Sequence, residues 1–314
     1  MSVFSYNAAI TPVKQRAVVL AVTEASMNVG FLVANFINGP ILTAFGESGN
    51  TVLFMVGFGG VLIGCLVVPF VRDLPKNDGY PVKWSEIFGC KAVLDSALCV
   101  FKKRPGQQRL LIHLSFGAFF CIFFGTVSYM TGLFMFLVKE VGFSFDKYSM
   151  YSGYSTGART LIGPLILYIL KNCVKIDGMH IAMISTVTTV MGLACIASGV
   201  EELLWIGGTL FCCSTVVYAI LRSYQSQLVP ANELAQLFAY EALLQISFSI
   251  IGGIFFRAFY VWTLPIWPGA FAALGALLSI ISLLFIVILT LVRESEVHRT
   301  PLLADVDDPP MLDH

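Results

Sequence analysis

Charge is scarce in this sequence: Asp, Glu, Lys and Arg make up 12% of its 314 residues, against 57% hydrophobic. A chain with so few charges and a mean hydropathy of +0.82 cannot keep a globular surface wetted, which excludes the soluble class. Its 19 basic and 19 acidic residues cancel, so bulk electrostatics gives no basis for a nucleic-acid partner. The motifs of chemistry are missing too. There is no His-Glu-x-x-His, no Walker loop and no pair of intramembrane aspartates. The four histidines (113, 180, 298 and 314) are scattered. No enzyme activity, metal or cofactor is expected. No Asn-x-Ser/Thr acceptor occurs, and the apolar run after residue 16 is too long for a cleaved signal core. The eight cysteines fall mostly in apolar stretches or inner loops, so a disulfide framework is not expected; Cys212 and Cys213 adjoin, and should diverge on a helix.

What the chain has is apolar length. A membrane-crossing helix needs about 20 mainly apolar residues, and eight such stretches run near 17–44, 51–71, 110–138, 148–170, 179–198, 203–228, 234–259 and 268–292. The expected fold class is all-α, a polytopic membrane protein with eight transmembrane helices in the lipid bilayer. Small residues such as Gly153, Gly157, Gly207-Gly208 and Gly252-Gly253 allow close helix approach.

Basic residues set the orientation. With residues 1–16 inside, fourteen of the 19 Lys and Arg fall in inner segments, and only Lys139 and Lys147 lie in outer loops. Both termini are therefore expected in the cytoplasm. Four domains follow: 1–71 with two helices, a central cytoplasmic loop at 72–109, a six-helix bundle at 110–292, and a disordered acidic tail at 293–314. From Trp84 the central loop reads as a basic amphipathic helix on the inner membrane surface or a solvated linker helix.

Four apolar stretches carry an ionisable residue well inside them: Glu24, Arg159, Arg222 and Glu241. A charge at bilayer depth costs about 2.5–3.5 kcal/mol or more, so these residues are expected to face a hydrated or solute-filled cavity. Glu24 shares a polar face with Asn28 and Asn35; taken out of water, its carboxyl suits proton coupling, the alternative being an interhelical hydrogen bond. Arg222 shares a face with Tyr218 and with Gln225 or Ser226, and reads as a solute-binding arginine or as one reaching the inner interface. Arg159 is too central to reach an interface and suits anion binding or interhelical pairing. Glu241, with Gln245 and Ser249 on its face, is a second proton-coupling candidate and a partner for Arg222 or Arg159. Substrate binding is thus assigned to Arg222, Arg159 and Tyr218, and proton coupling to Glu24 and Glu241.

Several stretches carry a resemblance. Arg16 to Gly30, with Thr23-Glu24-Ala25-Ser26, is similar to the fifth helix of the major facilitator superfamily, in the branch holding the proton-coupled folate transporter and the thymic stromal cotransporter. Arg222 with Ser226-Gln-Leu228-Val229, Glu233 and Leu237-Phe238 resembles the tenth helix and following loop. Gly252-Gly-Ile-Phe255 with Tyr260 is similar to the eleventh, and Gly153-Tyr154-Ser155 to the start of the eighth. The resemblance implies helices 5–12 of a twelve-helix carrier lacking the first four, with 1–71 the remnant of the N-terminal bundle. It implies proton coupling at Glu24 and substrate or proton coupling at Arg222. Phe123 stands where the folate transporter has a histidine, and Ala235 replaces a glycine, so folate itself is not implied. The expected function is transport of a small polar or anionic organic solute with protons, in the plasma or endolysosomal membrane. The alternative is a non-transporting partner of a full-length carrier or a regulatory protein.

Overall fold

The computed structural model describes residues 2–67, 90–230 and 233–299, whose regular structure is all helical. In chain order the helices are α1 (Ser2–Ile10), α2 (Val13–Phe45), α3 (Gly49–Val67), α4 (Cys90–Phe101), α5 (Gln108–Met135), α6 (Phe145–Tyr168), α7 (Gly178–Ala197), α8 (Glu201–Leu210), α9 (Ser214–Gln225), α10 (Leu234–Thr263) and α11 (Ala270–Arg299). Wider π-type turns prolong α5 to Glu140 and α6 to Cys173. A 3-10 turn, Phe211–Cys213, joins α8 to α9, so the expected 203–228 span is one rod with a tightened middle. Such turns often mark hinges.

Among the described residues, seven helical stretches are long and apolar enough to cross a membrane, against eight expected. The exception is α6. Its 24 residues reach about 36 Å at 1.5 Å each, but Ser149, Ser152, Ser155, Thr156, Arg159 and Thr160 dilute its hydropathy. Part of that polarity goes to neighbours: Asn35 of α2 donates to Thr156 at 3.1 Å, and Ser149 donates to the Asn35 carbonyl one turn before Pro40. Ser149, Gly153 and Gly157 recur every fourth residue and form a smooth strip on which Gly39, Phe36 and Leu32 of α2 lie.

The inner core runs between α5, α7, α9 and α11, with Phe119, Ile122, Val217, Leu221, Ile286 and Leu289 buried in it. α5 and α11 approach where Gly125 meets Gly275: a Cβ at Gly125 would stand 2.8 Å from the Gly275 carbonyl oxygen. Ser282 and Ser128 seal that contact, donating to the carbonyls of Ala118 (2.7 Å) and Phe271 (2.6 Å). A Gly125→Val variant should force the pair apart and lose about 1–3 kcal/mol, read as a lower Tm in detergent micelles.

Three expectations shift. Residues 1–16, placed ahead of the first expected span, contain α1, which packs on α2 and α10. Nine residues are too few to hold a helix alone; burial of Phe4 and Ala8 holds this one. The tail expected to be disordered from 293 is helical to Arg299, and Arg293 donates to both carboxylate oxygens of Asp177 at 3.2 Å. Residues 300–314 lie outside the described residues, as do 68–89, which include the start of the expected amphipathic helix. Its described part, α4, leans on α10. Cys212 and Cys213 do not diverge as expected: their sulfurs are 4.0 Å apart.

Candidate functional site

Arg222 is on α9, the most buried of the spans, and is itself 3% exposed. Two carboxylates from two other helices meet it. Its Nε donates to Oε1 of Glu241 on α10 at 2.7 Å, and its Nη1 donates to Oε2 of Glu24 on α2. Glu241 is 0% exposed, and Gln245, one turn on, donates to the same Oε1 at 3.3 Å. Glu24 stands at the edge with 21% of its side chain exposed. The guanidinium faces are covered by Phe4 of α1, 4.2 Å away, and Phe119 of α5, 5.2 Å away, a cation–π arrangement that partly replaces lost hydration. Sequence reasoning left Glu241 a choice of two arginines; the structure pairs it with Arg222. That burial also excludes an Arg222 reaching out to the interface.

Arg159 contrasts with it. Its side chain, 9% exposed, lies 5.4 Å from the Phe211 ring. Its Nε is buried without a partner, and no carboxylate among the described residues pairs with it. Tyr218 precedes Arg222 by one turn on α9 and is buried. Its hydroxyl is held 2.6 Å from Thr126 and donates to the Ile122 carbonyl at 3.3 Å, so Tyr218 is a fixed wall rather than a free hydroxyl. Phe119 and Phe123 continue the wall, Phe119 against the Tyr218 ring at 5.3 Å.

Sequence reasoning missed Phe4, because no signal marks so short a helix. It also missed a clamp at the end of the bundle that carries α4. There Glu233 at the start of α10 accepts from Arg104 at 2.6 Å and from Lys102 at 2.7 Å. Lys102, hydrogen-bonded to that carboxylate, and then Arg104 hold Glu233 below the usual carboxylate range. A lowered carboxyl stabilises the docked state above its unfolded value near pH 4.3, and that stability is lost as pH falls through the lowered value. Glu233→Gln should therefore reduce hydrogen-exchange protection of residues 90–101 by about 1–2 kcal/mol at neutral pH, with Arg104 the main loss because Lys102 is exposed. The wild type should lose the same protection only on strong acidification.

With this geometry in place the relatives can be stated. The sequence profile described as Major Facilitator Superfamily matches residues 2–240. The chain belongs to the major facilitator superfamily. A lysosomal proton-coupled steroid conjugate and bile acid symporter of Bos taurus is 24% identical over 273 residues, covering 85% of this chain and 58% of that protein. The chain thus spans a little over half the length of the curated relative it matches. Membership and the apolar helices together make this superfamily member an integral membrane protein. The agreement with the motif resemblance is at the level of the superfamily and of a proton-coupled solute symporter within it.

Proposed function

We propose that the protein serves proton-coupled movement of an organic anion across a membrane, with both termini cytoplasmic. The observation that carries this reading is the unequal state of two buried arginines. Arg222 has two carboxylates, so with both ionised the cluster holds one negative charge in excess. One proton neutralises it, which is the property a coupling site needs. Arg159 has no carboxylate, so an incoming anion supplies what it lacks. The aromatic wall of Phe119, Phe123 and Tyr218 at Arg222, with Phe211 at Arg159, suits a cargo with an apolar body, and the related symporter is named for steroid conjugates and bile acids. Roles follow: Glu24 and Glu241 carry the proton, Arg222 couples it, Arg159 takes the anion, and Tyr218 shapes the wall.

The test is uptake of a radiolabelled bile acid into proteoliposomes under an inward proton gradient. Glu24→Gln removes the charge but keeps the shape; it should abolish the gradient's acceleration while bile acid still binds. Absence of any gradient-dependent uptake by the wild type would overturn the reading.

One observation favours the second reading, a membrane partner that does not itself transport. Among the described residues α3 packs chiefly on α2, leaving Phe54, Met55, Phe58 and Leu66 exposed, and Phe31 of α2 is exposed as well. Stable co-purification with a full-length carrier, without flux by this chain alone, would support it.

A further inference from the structure

Of the eight buried polar side-chain atoms without a protein hydrogen-bond partner among the described residues, four are Oε2 of Glu241, both Oε1 and Nε2 of Gln225, and Nε of Arg16. Leaving one such group unsatisfied costs about 1–3 kcal/mol, so they require hydration. Gln225 is the extreme case, 0% exposed with neither end of its amide engaged. It follows Arg222 by three residues on α9, hence on the same face one turn nearer the helix end. Ser226, next in the chain, accepts from Nη1 of Arg16 on its hydroxyl at 3.0 Å and on its carbonyl at 3.3 Å. Polar groups therefore succeed one another from Glu241 through Arg222 and Gln225 to Ser226 and Arg16. The shell at that end is apolar, with Ile112, Phe116, Leu237 and Phe238 buried.

We propose that Gln225 positions a short file of water between Oε2 of Glu241 and the α4-bearing end of the bundle, and that the proton of the Arg222 cluster exchanges with the cytoplasm along it. The proposal rests on the proton-coupled reading above. A buried water needs two to four polar partners. The Gln225 amide offers an acceptor and two donors, Glu241 an acceptor and Arg16 a donor, the kinds of partner such a file needs. The amide neither gains nor loses a proton, so Gln225 is a positioning residue. A proton leaving Glu241 passes to the adjoining water as another leaves the far water, and charge balances. The charged groups around the path are Glu24 and Arg16 on α2, Arg222 on α9 and Glu241 on α10; on α5, His113 lies against the Phe101 ring of α4.

The test uses the full chain in proteoliposomes with two readouts: bile acid counterflow at equal pH, which needs no net proton movement, and uptake driven by a proton gradient with an entrapped pH dye. Gln225→Leu should lower gradient-driven uptake and dye response about tenfold while counterflow stays within about twofold. Gln225→Asn, which keeps the amide, should restore part of the loss. Equal loss of both fluxes, unrescued by Gln225→Asn, would assign a structural role and overturn the proposal; so would wild-type proton-driven uptake in Gln225→Leu. Wild-type protein with counterflow but no proton response would defeat the proton reading, and the proposal with it, while leaving Arg159 as an anion site. No flux of either kind would overturn both.

Discussion

Arg222→Ala is expected to be the most damaging single change in the molecule. It leaves Glu241, which has no exposure, without its counter-charge and with a cavity beside Phe4 and Phe119. Breaking a buried ion pair from one side costs about 3–5 kcal/mol, and loss of flux should accompany a lower Tm in detergent. Arg222→Lys should rescue little, because an ammonium cannot present Nε and Nη1 to two carboxylates in one plane. The double variant Arg222→Met with Glu241→Leu should regain most of the stability, since an apolar pair of similar volume is often as stable as a buried ion pair. Its flux should stay at background. Stability and transport would then part company at the same positions, and a double variant no more stable than Arg222→Ala would refute the electrostatic account.

Arg159→Gln should act with the opposite sign on stability. No ion pair is lost, and a buried cation with no carboxylate is replaced by a neutral amide, so Tm should hold or rise. Transport should suffer in KM: losing a charge-assisted contact of about 1.5–3 kcal/mol weakens apparent affinity by about tenfold to a hundredfold. Initial rates over a bile acid concentration series, with Tm measured on the same samples, check both halves. An unchanged KM would remove Arg159 from the solute site.

Much of this was legible in the sequence because the bilayer is a strict solvent. About 20 apolar residues are needed per crossing, so helix existence followed from hydropathy, and ions inside those runs stood out as anomalies: Glu24, Arg159, Arg222 and Glu241. Their pairing was not legible. Glu24 and Arg222 are 198 residues apart, and only the packing of α2 on α9 brings them together. α1 was hidden because its nine residues are stabilised by contacts outside themselves, through Phe4 and Ala8. α6 was expected as a span but falls short of its neighbours' hydropathy, because its polar residues bond to α2 and include Arg159.

The strip of Ser149, Gly153 and Gly157 beneath α2 has a mechanical consequence. Glu24, toward the start of α2, is tied by charge, whereas from Leu32 to Gly39 the helix rests on small side chains and is pinned by two uncharged hydrogen bonds at Asn35. α2 is thus a lever with an ionic latch at one end and an uncharged, hydrogen-bonded bearing at the other. Adding or removing a single proton changes the grip of the latch and leaves the bearing untouched.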